Sequence, residues 1–100
     1  MLSQVTELVA IYVKRRDGII SRRVDGELLL LDLEYDQIHQ LNESATFIWD
    51  TWEQVSDEGD LAKLLAQKFH VKDDVALNDV VVMVGRLREL HLLVNSPLEG

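Results

Sequence analysis

Three histidines and one group of carboxylates are the side chains of this chain that could perform acid–base chemistry or bind a metal. The histidines are His39, His70 and His91, and the carboxylates are Asp57, Glu58 and Asp60. No two histidines have the spacing of a His-x-x-x-His zinc motif, and the carboxylates lack the pattern of a calcium-binding loop. The chain has no cysteine for a thiolate nucleophile and no glycine-rich phosphate-binding loop. The sequence therefore predicts a protein that is not an enzyme and that uses no metal or cofactor.

The charge is acidic overall and unevenly distributed. The net charge is −8 over 100 residues. Residues 1–26 hold five basic and three acidic side chains, whereas residues 27–100 hold five basic and fifteen acidic ones. Most of such a surface repels nucleic-acid phosphates, so we expect no nucleic-acid partner. No apolar run approaches the roughly 20 residues that cross a bilayer, and no basic leader precedes an apolar stretch. We expect a cytoplasmic protein with no membrane partner.

A short polar strand could bind a ligand through its backbone rather than through its side chains. Asp25-Gly26 favours a two-residue hairpin turn between a first strand at 19–24 and a second at 27–33. A third strand is predicted at 37–41, where the residues are mostly polar, as is common at the edge of a sheet. An open edge presents amide and carbonyl groups to which another chain can add as a strand.

The second strand is apolar on both faces. Leu28 and Leu30 alternate with Leu29, Leu31 and Leu33. Helices can cover one face, and the other needs the N-terminal segment, a second subunit or a ligand. Residues 2–13 are rich in apolar side chains whose spacing fits helix and strand equally well.

Capping residues predict three helices after the strands. Asn42 is a good N-cap for the first helix, Asp60 for the second, and Asp73 or Asp74 for a third that ends near His91. The predicted fold is α+β and winged-helix-like, a three-stranded antiparallel sheet followed by three helices.

Several short motifs follow one another along residues 20–94. They are Leu31-Asp32-Leu33, Leu41-Asn42-Glu43-Ser44-Ala45, Ile48-Trp49, and Leu87-Arg88-Glu89-Leu90-His91-Leu92-Leu93. Their order and spacing resemble the PqqD-like family of peptide chaperones, also called precursor-peptide recognition elements. That family usually has glycine where His91 stands, which affects the expected geometry at the end of the third helix.

The resemblance implies a non-catalytic domain that binds the leader segment of a ribosomally made precursor peptide. It would present that peptide to a modifying enzyme such as a radical-SAM protein or a protease. In the family the leader adds as a strand beside the third strand and lies against the third helix. Carried over to this chain, the strand that pairs with the leader consists of Gln37, Ile38, His39, Gln40 and Leu41. On the third helix a helical wheel places Leu77, Val81, Gly85 and Arg88 on one flank, which we predict as the groove wall. The opposite flank, with Arg86 and Leu90, is the alternative.

These interpretations divide the chain into three parts. Residues 1–18 form an N-terminal extension, which could make dimer contacts. Residues 19–94 form the PqqD-like domain, and residues 95–100 form a flexible tail. The alternative function is a winged-helix-like oligomerising or DNA-binding regulatory subunit. A homodimer is compatible with peptide recognition, whereas acidic residues at the start of the third helix disfavour DNA binding.

Overall fold

The computed structural model describes residues 11–55 and 57–97. The strands are β1 (Ile11–Arg15), β2 (Ile19–Val24), β3 (Glu27–Asp32), β4 (Gln37–Leu41) and β5 (Leu93–Pro97). The helices are α1 (Glu43–Thr51), α2 (Glu58–Phe69) and α3 (Asp73–Glu89), with a 3₁₀ turn at Trp52–Gln54 after α1. None of the helices within these two ranges is long and apolar enough to cross a membrane.

The predicted three-stranded sheet followed by three helices is confirmed. The strand order is β2-β3-β4, and both pairs are antiparallel. Asp25 and Gly26 have φ of 53° and 84°, the positive values that a tight hairpin turn with a primed geometry requires. Because the sheet precedes the helices, the fold is winged-helix-like only in a loose sense.

The core lies between one face of the sheet and the helices. Leu28 and Leu30 on β3 are 4% and 0% exposed. They pack with apolar side chains that repeat at helical spacing, including Ile48, Leu61, Leu65, Val80 and Leu87. Full burial of each such side chain stabilises the fold by about 1.5–3 kcal/mol. The apolar stripe of each helix therefore orients it toward the sheet.

A second, two-stranded sheet joins β1 to β5. The register runs from Ile11 opposite Pro97 to Arg15 opposite Leu93. Residues 11–15 are thus strand rather than helix, while residues 1–10 of the ambiguous N-terminal segment lie outside the described residues. Residues 95–97, which we assigned to a flexible tail, belong to β5 because their backbone pairs with β1. The indole of Trp52 donates a hydrogen bond to the carbonyl of Val13 at 2.7 Å and ties β1 to the 3₁₀ turn.

The predicted cap is found in α1, but not in α2 or α3. The side chain of Asn42 accepts from the amide of Ala45 at 2.9 Å, as predicted. The second helix begins earlier than predicted, because Asp57 and not Asp60 is its N-cap. The carboxylate of Asp57 accepts from the amide of Asp60 at 2.8 Å, so Asp60 lies in the first turn. Helix α3 begins at Asp73, but its N-cap is Lys72 and no side chain caps it, so Asp73 and Asp74 lie in the first turn rather than at the predicted cap.

Helix α3 ends in a left-handed residue although that residue is histidine. His91 has φ of 60°. Its amide donates to the carbonyl of Arg88 at 3.0 Å, and the amide of Leu92 donates to that of Leu87 at 2.9 Å. These two bonds form a Schellman motif, which glycine usually completes. The geometry expected for glycine is therefore kept at His91.

Candidate functional site

A groove of about 370 Å³ lies between strand β4 and helix α3. The strand side and the start of α1 contribute Ile38, His39, Gln40, Leu41, Asn42 and Ala45, and the helix side contributes Met83, Arg86, Leu87 and Leu90. Strand β4 pairs with β3 on one side, and no strand of the described chain pairs with its other side. The groove therefore combines an open strand edge with a helical wall.

The side chains of β4 alternate between the two faces of the sheet. His39 lies opposite Leu30 and Leu41 opposite Leu28, so both point toward the helices. Leu41 is 5% exposed, whereas Ile38 points to the other face and is 70% exposed. The side-chain amide of Gln40 donates to a carboxylate oxygen of Glu27 at 3.1 Å. A chain added to β4 would alternate in the same way.

Thr46 holds the end of β4 against helix α1. Its hydroxyl donates to the carbonyl of Leu41 and accepts from the amide of Leu28, each at 3.1 Å. Thr46 is 4% exposed, and buried hydrogen bonds of this kind fix geometry because an unpaired partner would be costly. The floor of the groove near Leu41 and Ala45 is therefore rigidly placed.

His39 brings a polar atom into the groove. Its Nε2 is shielded from solvent and has no hydrogen-bond partner among the described residues. Buried polar atoms are nearly always paired in folded proteins. This atom is therefore a buried polar group that the described residues leave unsatisfied.

The helical wall is the flank that we treated as the alternative. Met83, Leu87 and Leu90 make it apolar, and Arg86 supplies a positive charge. Arg86 is exposed, and within residues 11–55 and 57–97 it makes no ion pair. Strand β4, predicted as the strand partner at Gln37–Leu41, thus runs beside the flank with Arg86 and Leu90.

The predicted groove wall lies on the other side of α3. Leu77 and Val81 are 44% and 51% exposed and do not line the groove. A Cβ atom added at Gly85 would meet nothing within 4 Å, so this glycine is not a point of close approach within the described chain. The guanidinium of Arg88 donates to the side-chain oxygen of Asn95 on β5 at 3.1 Å. The groove beside β4 is lined by the opposite flank, and peptide binding by this flank stays a prediction.

A buried aspartate fixes the turn that leads into β4. Asp32 is 1% exposed. One carboxylate oxygen accepts from the amides of Glu34 and Tyr35 at 3.2 and 3.1 Å, and the other accepts from the guanidinium of Arg16. The Arg16 hydrogen bond, aided by the two backbone amides, holds the pKa of Asp32 below its usual value against the opposing effect of burial.

Arg16 extends this network to the end of α3. It donates to the carbonyl of His91 at 2.7 Å and to the carboxylate of Glu34 at 3.0 Å. Its guanidinium lies over the ring of Tyr35 at 5.0 Å, and Tyr35 stacks on His91 with ring centroids 5.2 Å apart. The hydrogen bond to Asp32 raises the pKa of Arg16 above its ordinary value. We call Arg16, Asp32, Tyr35 and His91 the groove clamp, because they join the turn before β4 to the end of α3.

Sequence reasoning missed the groove clamp. The signal was an aspartate at the end of an apolar strand, which needs a partner if it is buried. The Leu31-Asp32-Leu33 motif contains this aspartate, but nothing in the sequence indicates that Arg16 is its partner.

The three histidines lie in separate places. His39 is on β4, His70 ends α2 in a left-handed conformation, and His91 ends α3. Among the described residues, no three histidine, cysteine or acidic side chains are grouped as a metal site would require.

Solved structures with this fold include two complexes with leader peptides. TbiB1 in complex with the TbiA(beta) leader peptide has a TM-score of 0.72 and 21% identity, covering 80% of this chain and 93% of that chain. Lasso peptide synthetase B1 complexed with the leader peptide has a TM-score of 0.73 and 24% identity, covering 82% and 96%. At these identities the likeness shows a common fold. No curated protein sequence matches this chain.

The family model described as coenzyme PQQ synthesis protein D (PqqD) matches residues 27–93. This range runs from the start of β3 to the first residue of β5 and includes both walls of the groove. It covers about two thirds of the chain. The chain therefore belongs to the PqqD family.

Proposed function

We propose that this protein is a non-catalytic recognition element that binds the leader segment of a ribosomally synthesised precursor peptide. The leader adds as a strand beside β4 and lies against α3, and the complex is presented to a modifying enzyme such as a radical-SAM protein or a protease. The observation that carries the proposal is the open edge of β4 facing a largely apolar helical wall across the groove. Family membership and two structural neighbours bound to leader peptides support it.

The two edges of the three-stranded sheet differ in a way that favours β4. Strand β2 carries Arg22 and Arg23, and charged side chains commonly protect an edge from pairing. Strand β4 has no lysine, arginine or carboxylate in Gln37–Leu41. A backbone hydrogen bond contributes only about 0.5–1.5 kcal/mol net, so a short added strand also needs side-chain contacts in the groove.

The groove favours a particular kind of leader. Side chains of the peptide that point inward meet Met83, Leu87 and Leu90, so apolar residues fit there, and methionine adapts to their shape. Arg86, rather than Arg88, is the cation placed to bind a carboxylate of the leader. The unpartnered Nε2 of His39 supplies one further polar contact on the strand side.

The DNA-binding alternative is not favoured. The first turn of α3, which would enter the major groove, carries Asp73 and Asp74, and DNA affinity depends largely on neutralising phosphates. A homodimer through residues 1–18 stays a separate prediction. Over Ile11–Arg15, this segment already pairs with β5 of the same chain.

The test is ¹⁵N NMR of the full chain titrated with leader segments of the short peptides encoded beside its gene. The TbiA(beta) leader peptide serves as a heterologous reference. We expect saturable shifts at residues 36–42 and at Met83, Arg86 and Leu90, with little change at Leu77 and Val81. Saturable shifts confined to other surfaces would contradict the proposal.

N-methylation of the bound peptide tests strand pairing without altering the protein. Only alternate amides of an added strand face β4, so N-methyl groups should weaken binding at every second position. Equal tolerance at consecutive positions would exclude strand addition. On the protein side, His39→Pro should weaken binding more than His39→Ala, provided that both variants keep the wild-type NMR fingerprint.

A further inference from the structure

The sheet face that points away from the helices carries a row of aliphatic side chains. The register places Ile20 opposite Leu31 and Leu31 opposite Ile38, so the three lie side by side across β2, β3 and β4. They point away from the core because the adjacent β3 residues, Leu30 and Asp32, are buried. We call these three side chains the outer row.

The outer row is most exposed at its β4 end. Ile20 is 45% and Ile38 is 70% exposed. The next row along the sheet contains Arg22, Leu29 and Gln40, so it ends in a polar side chain at both edges. A strongly exposed isoleucine on an open edge is unusual, because such positions invite pairing with another strand. The outer row therefore ends at the edge where the peptide is proposed to add.

We propose that the bound peptide carries an aliphatic or aromatic side chain at the outward position beside Ile38, and that this side chain becomes the fourth member of the outer row. This inference rests on the proposed strand addition. A strand paired with β4 must place every second side chain on the outer face, and cross-strand neighbours of this kind stabilise pairing. The peptide then needs apolar side chains at two consecutive positions, one facing the groove and one facing the outer row.

This requirement distinguishes the protein from one that recognises its ligand only through side chains in the groove. A protein of that kind would accept polar residues at every outward position of the peptide. A second copy of the chain is the other possible neighbour of Ile38, but each copy brings a net charge of −8, which opposes self-association.

The experiment is an mRNA-display selection of a randomised 12-residue peptide library on the immobilised full chain. It is run in parallel on the wild type, Ile38→Thr and Val24→Thr. Threonine keeps the β-branched shape that suits a strand but removes apolar surface. Val24 is a matched control, because it is 53% exposed on the same face and lies on β2, at the opposite edge. Thermal melts confirm that the variants are folded.

The wild type and Val24→Thr should both enrich an aliphatic or aromatic residue next to an inward apolar position. Ile38→Thr should lose that single preference and keep the inward ones. Its affinity for the wild-type-selected peptide, measured by fluorescence anisotropy, should fall about two- to fivefold, the equivalent of one cross-strand pair. For the same peptide with serine at the outward position, the wild type and Ile38→Thr should bind equally.

Two results would overturn the inference while leaving strand addition standing. One is enrichment of polar and apolar residues alike at outward positions by the wild type. The other is a wild-type dimer in sedimentation that Ile38→Thr dissociates, since a second copy would then occupy the outer row. If the wild type enriches no peptide, or if the enriched peptides do not shift resonances of residues 36–42, the proposed function itself fails.

Discussion

Helix α3 has two flanks of similar composition on either side of its buried stripe, but only one of them faces the sheet edge. One flank places Met83, Arg86 and Leu90 along the groove beside β4. The other leaves Leu77 and Val81 exposed. Each flank has apolar side chains and one arginine, so composition does not distinguish them. The difference shows that the flank that lines a groove is decided by what lies across from it.

The largest expected effect comes from breaking the groove clamp, which sets β4 against the end of α3. Asp32→Asn keeps an oxygen for the amides of Glu34 and Tyr35 but removes the charge that binds Arg16. We expect this variant to lower the melting temperature more than any other change considered below, because a largely buried arginine loses its buried carboxylate and keeps only the exposed Glu34 carboxylate and the His91 carbonyl. Asp17→Asn removes the same charge from a side chain that is 92% exposed, and it should melt near the wild type.

The same substitution should change the pH dependence of stability. The pKa of Asp32 lies below its usual 3.8 in the folded state, so its contribution is present above pH 3.8 and is lost as the pH falls through the lower folded pKa. Urea unfolding between pH 6 and pH 2 should show this loss in the wild type and a shallower acid decline in Asp32→Asn. Parallel curves for the two proteins would contradict the role of the Arg16–Asp32 pair.

The next effect compares one arginine from each flank. Arg86→Gln should weaken binding of a leader that contains a carboxylate roughly ten- to hundredfold, the usual range for a hydrogen bond to a charged group. Arg88→Gln should change it by about twofold or less, because Arg88 bonds to Asn95 on β5. Isothermal titration calorimetry measures both. Equal losses would mean that the charge acts at long range, and a larger loss for Arg88 would return the peptide to the flank first predicted.

A smaller effect tests the exposed flank directly. Gly85→Ala should stabilise the protein by about 1 kcal/mol in denaturant unfolding, because alanine favours helix and its Cβ meets nothing within 4 Å. Peptide affinity should be unchanged. Weaker binding by Gly85→Ala would show that the peptide backbone approaches this position.

The smallest effects compare the left-handed histidines that end α2 and α3. His70→Gly should stabilise the fold by about 0.5 kcal/mol, because glycine accepts a φ of 57° without steric cost. His91→Gly removes the same steric cost but also removes the stacking of His91 on Tyr35, which is worth about 0.5–1.5 kcal/mol. The net change in the free energy of unfolding should therefore be near zero. Thermal unfolding of both variants checks the comparison, and a clear gain for His91→Gly would remove any role for the stack.

The sequence was sufficient where structure depends on neighbours along the chain. The hairpin at Asp25-Gly26 and the cap at Asn42 follow from local turn and capping preferences, and both are confirmed. The sequence analysis names Asp60 as the cap of the second helix, whereas the Asp57 carboxylate accepts from the Asp60 amide, so α2 begins earlier than predicted.

The sequence did not predict contacts between residues that are distant along the chain. A helical wheel centred on Val80 predicts Met83, Val84 and Leu87 on the core stripe of α3, because burial follows the apolar pattern. Val80, Val84 and Leu87 are buried, whereas Met83 is half-buried in the groove wall. The helical wheel could not show on which side of that stripe β4 lies, since this depends on how the sheet meets the helices. The Arg16–Asp32 contact likewise joins residues 16 positions apart through the fold.

The β1–β5 ladder places Ile11 directly opposite Pro97, and cross-strand neighbours of this kind are about 5 Å apart. The backbone therefore enters and leaves the described fold at a single place. Neither strand lines the groove. A domain with this arrangement can be inserted into a surface loop of a larger enzyme, or fused to either end of one, with changes confined to the connecting peptides. Gene fusion and gene separation are thus alternatives that leave the groove intact.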